Sequence, residues 1–511
     1  MTERDFAKTG INGLDAILSG GIPRGNLTLV EGAVGTGKTT LGLEFIFRGA
    51  TEFNEPGLIV VFEVAPDRLI RDAAGFGWDL RELERQGRLK IVFTTRQVFE
   101  QELQEAGSLL LEEAGKIGAR RIFIDSFGRR ALGHDDNNNN NNGSRDPRDA
   151  FHILAEGLYR ENFTALLAHE VVAQEEVRRA AAVPEEFIAD TVLLLRLEPV
   201  ERAVQRSIEI VKSRGHEYQM GRHSFRIVDG RGLEVYRRVQ APRDPTRELA
   251  AAFDPTTRIS SGTPGLDDLL SGGYFVGSTT LVVGISGVGK SVMSLQYIAE
   301  GVRLGERSLM LTLDEPPAQV LRNAASIGVD LQGAIDRAAV RLYYDPPQEI
   351  EIDRHFHRIE QIVREFKPRR AVIDSLSTYG SSLGAAGRTF RDFFHAIVAL
   401  MKEHQVTAIY NHENPEMFGM SSMMGDYGVS SLVDNIILLN WVELGDVLRH
   451  AVTVSKMRAS PTSHVTRECE IVNGVGMRVL ARAIPPNAQP IPFAGYYGLL
   501  ARSPERRPSG T

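Results

Sequence analysis

Cysteine is almost missing from this chain: Cys469 is the one such residue among 511. One thiol cannot close an internal disulfide, and no Cys/His cluster surrounds it. A disulfide framework and a thiolate metal site are therefore excluded, and a reducing cytoplasmic setting fits. Cys469 itself reads as a buried, inert thiol. An excess of basic charge is missing too. Lys and Arg number 59 against 66 Asp and Glu, for a formal net charge of −7. That balance argues against a surface made for non-specific nucleic-acid binding. Apolar runs such as Leu58–Phe62 and Ile436–Leu439 are strand-length, so no membrane partner is expected. The opening residues, Met1-Thr2-Glu3-Arg4-Asp5, do not have the pattern of a signal peptide.

What is present is ordinary globular composition, 42% hydrophobic and 24% charged, in a chain too long for one core. The chain also repeats itself. Thr9-Gly10-Ile11-Asn12-Gly13-Leu14-Asp15 returns as Ser261-Gly262-Thr263-Pro264-Gly265-Leu266-Asp267, and Gly20-Gly21 as Gly272-Gly273. Gly77-Trp78-Asp79-Leu80 matches Gly328-Val329-Asp330-Leu331. Arg120-Arg121-Ile122-Phe123-Ile124-Asp125-Ser126 matches Arg369-Arg370-Ala371-Val372-Ile373-Asp374-Ser375. The order is kept and only loop lengths drift, which marks a duplicated domain. The expected organisation is a first domain over 1–238, a linker over 239–258 rich in Pro, Asp and Arg, a second domain over 259–484, and a flexible tail over 485–511. Asn137–Asn142 is a polar run that cannot bury apolar area; it reads as a disordered loop or as a filler.

Short apolar strands alternate with helical stretches. Leu27–Glu31, Leu58–Phe62 and Ile122–Ile124 read as strands in the first copy, and Thr280–Val283, Leu309–Leu313 and Ala371–Ile373 in the second. Amphipathic runs such as Leu41–Arg48 and Leu103–Lys116 lie between strands. This alternation predicts an α/β fold, two tandem domains each with a mostly parallel sheet flanked by helices.

Two glycine-rich segments carry the chemistry. Gly32-Ala33-Val34-Gly35-Thr36-Gly37-Lys38-Thr39-Thr40 and Gly284-Ile285-Ser286-Gly287-Val288-Gly289-Lys290-Ser291 both fit G-x-x-x-x-G-K-[ST]. Glycines let the backbone curl so that N–H groups converge on phosphate oxygens, and the following helix N-terminus adds partial positive charge. Lys38 and Lys290 are expected to reach the β- and γ-phosphates of ATP. Thr39 and Ser291 are expected to hold Mg²⁺ through their hydroxyls, with Asp125 and Asp374, which end apolar strands, completing the metal shell. Glu63, and Asp314 with Glu315, follow the next strand of each copy and are candidates to orient a water or hydroxyl as general base. His169-Glu170 and His412-Glu413 sit at a further strand tip, where sensing of the γ-phosphate and a structural role are both open.

Taken together, these segments resemble the KaiC family. The likeness rests on Gly10-Ile11-x-Gly13-Leu14-Asp15, both phosphate loops, Phe62-Glu63, Gly75-Phe76-Gly77-Trp78-Asp79-Leu80, Ile124-Asp125-Ser126, Lys212-Ser213-Arg214-Gly215, Ile373-Asp374-Ser375-Leu376 and Lys456-Met457-Arg458, and it covers most of residues 5–480. The resemblance implies RecA-type folds, a homohexamer of two stacked rings, and ATP held between neighbouring subunits. It implies that Lys212 and Arg214, and Lys456 and Arg458, touch the nucleotide of a neighbour. Arg206 matches a further nucleotide contact, with His450 beside Arg449 at the corresponding position of the second copy. The family's second domain is a serine/threonine autokinase, and its phosphorylated positions fall here on Ser430 and Ser431; read as residues alone, two serines simply lead into a strand. Where the family carries two adjacent glutamates, the first copy has Glu63-Val64 and the second Asp314-Glu315. The tail from Pro485 does not match the family's partner-binding tail, so the signalling partner is unknown. The expected activity is ATP hydrolysis with serine autophosphorylation, a signalling or timing switch. A RecA-like DNA-dependent ATPase and an ATP-assembled, non-catalytic scaffold are the alternatives.

Overall fold

A computed structural model describes residues 5–105, 108–127, 147–171, 188–200, 203–240, 256–382, 387–413, 429–444, 447–461 and 464–484. The Asn137–Asn142 run, residues 241–255 of the expected linker and the tail from Pro485 lie outside the described residues. The chain divides into two compact units, Met1–Arg238 and Val239–Thr511. Val239 belongs to the second unit, where its backbone N–H donates to Asp353 Oδ1 at 2.9 Å.

The strands of the first large sheet are β1 (Leu27–Gly32), β2 (Gly57–Val61), β3 (Leu89–Phe93), β4 (Arg121–Phe127), β5 (Thr164–Glu170), β6 (Thr191–Val200), β7 (Ala203–Ser213), β8 (Arg222–Val228) and β9 (Gly232–Tyr236). Their order across the sheet is β9-β8-β7-β6-β1-β5-β4-β2-β3. The six strands from β1 to β6 run parallel and the last three fold back as an antiparallel meander. The second unit repeats the plan with β10 (Thr279–Gly284), β11 (Ser308–Thr312), β12 (Val340–Tyr344), β13 (Arg370–Asp374), β14 (Thr407–Glu413), β15 (Asn435–Leu444), β16 (Val447–Met457), β17 (Thr466–Val472) and β18 (Gly476–Ala483). Its order is β12-β11-β13-β14-β10-β15-β16-β17-β18. The central strands β1 and β10 are buried at every residue, as a parallel strand covered on both faces must be.

Each central strand runs into a helix: α1 (Lys38–Glu52) in the first unit and α2 (Lys290–Arg303) in the second. Leu41, Phe45 and Ile46 of α1 are fully buried against the sheet, each contributing roughly 1.5–3 kcal/mol of apolar burial. The predicted strands are all present, with ends shifted by one to three residues. One predicted run is corrected. Leu103–Lys116 is not a single helix: one helix, Arg96–Gln104, ends and another, Leu109–Ile117, begins. The break follows from Ser108, whose Oγ accepts the Leu111 N–H at 3.3 Å and caps the new start. Cys469 is buried, and burial pushes its thiol up to about 12.

Candidate nucleotide sites

Both glycine loops connect a buried strand to the first turn of a long helix. Gly37 and Gly289 stand just before α1 and α2 with φ of 109° and 103°, a conformation that glycine adopts without a Cβ penalty. A Cβ on Gly32 would sit 2.6 Å from the Leu195 carbonyl, so the loop's entry must also be glycine. Thr36 Oγ1 donates to the Ala33 carbonyl at 2.9 Å and braces the curl.

The lysines are already drawn into the loops. Lys38 Nζ donates to the carbonyls of Gly32 at 2.7 Å and Ala33 at 2.8 Å. Lys290 Nζ donates to Gly284 and Ile285, each at 2.8 Å. Burial pulls the Lys290 ammonium below its usual range, opposed by the charges of Glu413 and Asp374. Thr39 Oγ1 donates to Asp125 Oδ2 at 2.9 Å, and Ser291 Oγ to Asp374 Oδ2 at 2.7 Å. Burial raises the carboxyls of Asp125 and Asp374 above the ordinary aspartate value. Asp374 is also held by Asn411, which exchanges hydrogen bonds with Ser294 behind it.

The base candidates arrive by sheet register. The Phe62 N–H donates to the Asp125 carbonyl at 3.3 Å and the Leu313 N–H to the Asp374 carbonyl at 3.0 Å. Glu63, Asp314 and Glu315 thus follow strands zipped to the aspartate-bearing strands. Burial first, then the charge of Asp374, raises the Glu315 carboxyl, with a hydrogen bond from Asn323 opposing. Asp314 accepts Ser375 Oγ at 2.9 Å and Thr378 Oγ1 at 2.5 Å. Val64, where a second carboxylate is expected, packs against the apolar core of the first unit.

The two strand-tip histidines differ. His169 Nδ1 lies 3.3 Å from Glu31 Oε1, while its Nε2 is buried with no hydrogen-bond partner among the described residues. In the second unit Val283 replaces that glutamate, and burial, then the charge of Lys290, lowers His412 to about 4. The unfolded chain takes up a proton near 6.5. Between those values the unfolded state holds the extra proton, so the second unit loses stability as pH falls from about 6.5 towards 4, by on the order of 3 kcal/mol. Thermal unfolding followed from pH 7 to 4 is expected to show this acid limb for the second unit and a flatter one in His412→Gln. Identical limbs would refute it.

Lys212, Arg214, Lys456 and Arg458 do not join the loops of their own unit. Lys212 pairs across to Val192, which pairs to Leu29, near the start of β1, whereas the glycine loop leaves at its end. Lys456 lies equivalently, across Ile436 from Leu281. Each segment therefore lies towards the N-terminal ends of the parallel strands, away from its own loop. Lys212 Nζ donates to the Ala189 carbonyl, and Lys456 Nζ to those of Ser430 and Val433, all at 2.7 Å. Arg206, paired across to Leu197, lies instead towards the loop end, with Nε buried and unpartnered among the described residues. His450 is likewise towards the loop end, its ring tilted 35° against Trp441 with centroids 3.8 Å apart, and it is bonded to the Val288 backbone.

Ser430 and Ser431 lie on a one-turn helix, Val429–Leu432, half-buried and exposed respectively. Among the described residues no group of three or more His, Cys, Asp or Glu gathers as a metal centre, and no helix is long and apolar enough to cross a membrane.

The family model for the KaiC ATPase domain matches this chain twice, over residues 7–240 and 259–483. The chain belongs to the KaiC family of ATPases. It is 32% identical over 460 residues to the circadian clock oscillator protein KaiC of Prochlorococcus marinus, covering 88% of each chain. It is 33% identical over 462 residues to that of Thermostichus vulcanus, covering 88% of this chain and 85% of the relative. The circadian clock protein KaiC3 of Synechocystis is 31% identical over 507 residues, covering 97% of this chain and 94% of the relative. The two KaiC-type units are tandem RecA-like domains.

Sequence reasoning did not pick out the Ser375 and Thr378 hydroxyls on Asp314, the Asn411–Ser294 brace or the Glu31–His169 pair. Ser375 was visible only as part of the repeated Asp-Ser. Nothing in the spacing of Thr378 or Glu31 announces a partner far away in sequence.

Proposed function

We propose that this KaiC-family protein hydrolyses Mg-ATP at both glycine loops, transfers phosphate to Ser430 or Ser431 in its second unit, and works as a multi-copy switch. One observation carries the reading: each unit independently brings a loop lysine, a hydroxyl and a buried strand-end aspartate together, with a further carboxylate one strand over. Loop N–H groups and the lysine would grip the triphosphate, and Glu63, or Asp314 with Glu315, would orient the attacking oxygen and take its proton. The hydroxyl–carboxylate pairs Thr39–Asp125 and Ser291–Asp374 suit Mg²⁺, which favours oxygen donors and keeps several waters. Burial outweighs the opposing charges of Lys38 and Lys290 in raising the two aspartate carboxyls, so a divalent cation beside them would favour their ionised form. When bound, the metal supplies charge neutralisation to the β- and γ-phosphate oxygens.

The placement of Lys212 and Arg214, and of Lys456 and Arg458, away from their own loops favours sites completed by a second copy of the chain, as in a ring. In the second unit this segment also grips the acceptor helix. The Arg458 guanidinium donates to the Ser431 carbonyl at 2.7 Å and pairs with Asp434 at 3.4 Å. A phosphate on Ser431 would then form beside a cation, which stabilises it.

Native mass spectrometry after incubation with Mg-ATP tests both finer claims. A ring of several copies is expected, with phosphoserine at Ser430 or Ser431 that disappears in the doubly alanine-substituted protein. Spectra showing only unmodified monomer would defeat the kinase and assembly readings together. Val64 favours a second reading for the first unit alone, in which ATP is bound to hold the assembly with little turnover. Sizing with and without nucleotide, set against turnover in Lys290→Ala, separates the two.

A further inference from the structure

The second unit contains a buried polar chain that no step above uses. His355, on α3 (Ile352–Phe366), has Nδ1 2.7 Å from Asp345 Oδ2 and Nε2 2.6 Å from the Tyr379 hydroxyl. Asp345 directly follows β12, and Tyr379 lies on α4 (Leu376–Ser382), the short helix after the strand ending at Asp374. The three side chains are buried, and the Tyr343 hydroxyl adds a donor to Asp345 Oδ2 at 3.2 Å. Burial alone would raise Asp345, but hydrogen bonding and charge from His355 hold it below the usual aspartate value. Every link is short and shielded from water, so the chain is a stiff strut between three elements.

Its far end bears on the candidate base. Tyr379 and its neighbour Thr378 project from α4 about 100° apart. Tyr379 points into the core, against Phe393 with ring centroids 4.7 Å apart, and Thr378 points at Asp314. A helix of seven residues has little stability of its own, so its rotation is set by what anchors it. Fixing Tyr379 fixes Thr378, which with Ser375 donates to opposite oxygens of the Asp314 carboxylate. The residues of this strut are not repeated in the first copy of the sequence: Arg129 and Arg130 stand where Thr378 and Tyr379 do, and Thr94 where Asp345 does.

We propose that Thr378 is a positioning residue for phosphoryl transfer at the second ATP site, aligning the Asp314 carboxylate, and that the Asp345–His355–Tyr379 strut holds it in place. The inference rests on the reading of that site as an ATP-hydrolysing centre. A carboxylate held by two donors keeps one orientation and presents its remaining lone pairs to the attacking oxygen, whereas a loose one must be ordered at each turnover. The effect belongs to kcat, because Thr378 touches the base rather than the triphosphate.

Turnover is measured in full-length protein carrying Lys38→Ala, so that the second site is read alone. Thr378→Val is expected to lower kcat about tenfold with KM for ATP within about twofold, and Thr378→Ser to restore it. Tyr379→Phe is expected to lower kcat less, and the Thr378→Val/Tyr379→Phe pair to be no slower than Thr378→Val alone, since both act along one path. Unchanged kcat in Thr378→Val, a rise in KM matching the fall in kcat, or losses that multiply in the pair would overturn the inference alone. No turnover at all in the Lys38→Ala parent would overturn it together with the reading beneath it.

Discussion

The doubly substituted Lys38→Ala/Lys290→Ala protein is expected to lose ATP turnover by on the order of 100-fold or more, with its secondary structure intact. Each lysine is buried within its loop and its ammonium is held by two loop carbonyls at 2.7–2.8 Å. Those carbonyls aim the charge at the loop mouth without neutralising it, so a phosphate oxygen entering there meets a cation that needs little reorganisation. Alanine removes that cation where negative charge builds up during transfer. Each single variant should keep the turnover of the intact unit, because the two loops belong to separate compact units. Phosphate release at saturating ATP, with circular dichroism to confirm folding, decides the matter. Wild-type turnover in the double variant would remove the hydrolytic reading of both sites.

The strands, the glycine loops and their duplication were legible because each is a local pattern. A short apolar run between turn residues predicts a covered parallel strand, and a loop of fixed glycine spacing needs its glycines wherever it occurs. Asp125 and Asp374 could be placed for the same reason, as strand-end carboxylates next to a phosphate loop. What stayed hidden depends on register between distant segments. No rule of spacing tells that Thr378 meets Asp314, or that Lys456 turns back onto the Ser430 carbonyl. Likewise Val64 reads in the sequence as a missing carboxylate, and only its packing shows that it serves the core. Helix breaks fall between these cases: Ser108 is a good N-cap, yet the apolar pattern on either side of it hides the interruption.

Arg121 and Arg370 show how far such a pattern can conceal its cause. The repeated Arg-Arg before the aspartate strand marks the duplication, and a sequence reader would place both arginines in solvent. The second of each pair is instead fully buried. Arg121 Nε donates to Glu55 at 2.6 Å, and its other nitrogens to the carbonyls of Phe45 at 3.1 Å and Lys8 at 2.8 Å. Arg370 Nε donates to Glu306 at 2.6 Å, and Nη1 alone donates to the carbonyls of Ser260 at 2.8 Å and Tyr297 at 3.3 Å, with the guanidinium over the Tyr297 ring at 4.6 Å. Each guanidinium ties the N-terminal segment of its unit to the first helix and to the start of the aspartate strand. Removing Arg370 leaves the Glu306 carboxylate without its cation, which for a buried pair costs about 3–5 kcal/mol, whereas Glu55 keeps Arg24 at 2.5 Å when Arg121 is removed. Arg370→Ala should therefore lower the melting temperature of the second unit by on the order of 10 °C, and Arg121→Ala that of the first by less, about 5 °C. Lysine should not rescue either, since one ammonium cannot span the carboxylate and both carbonyls at the distances a planar fork reaches. Differential scanning calorimetry of the two variants checks this. A shift of only a degree or two in either would mean that the buried fork is incidental to the stability of its unit.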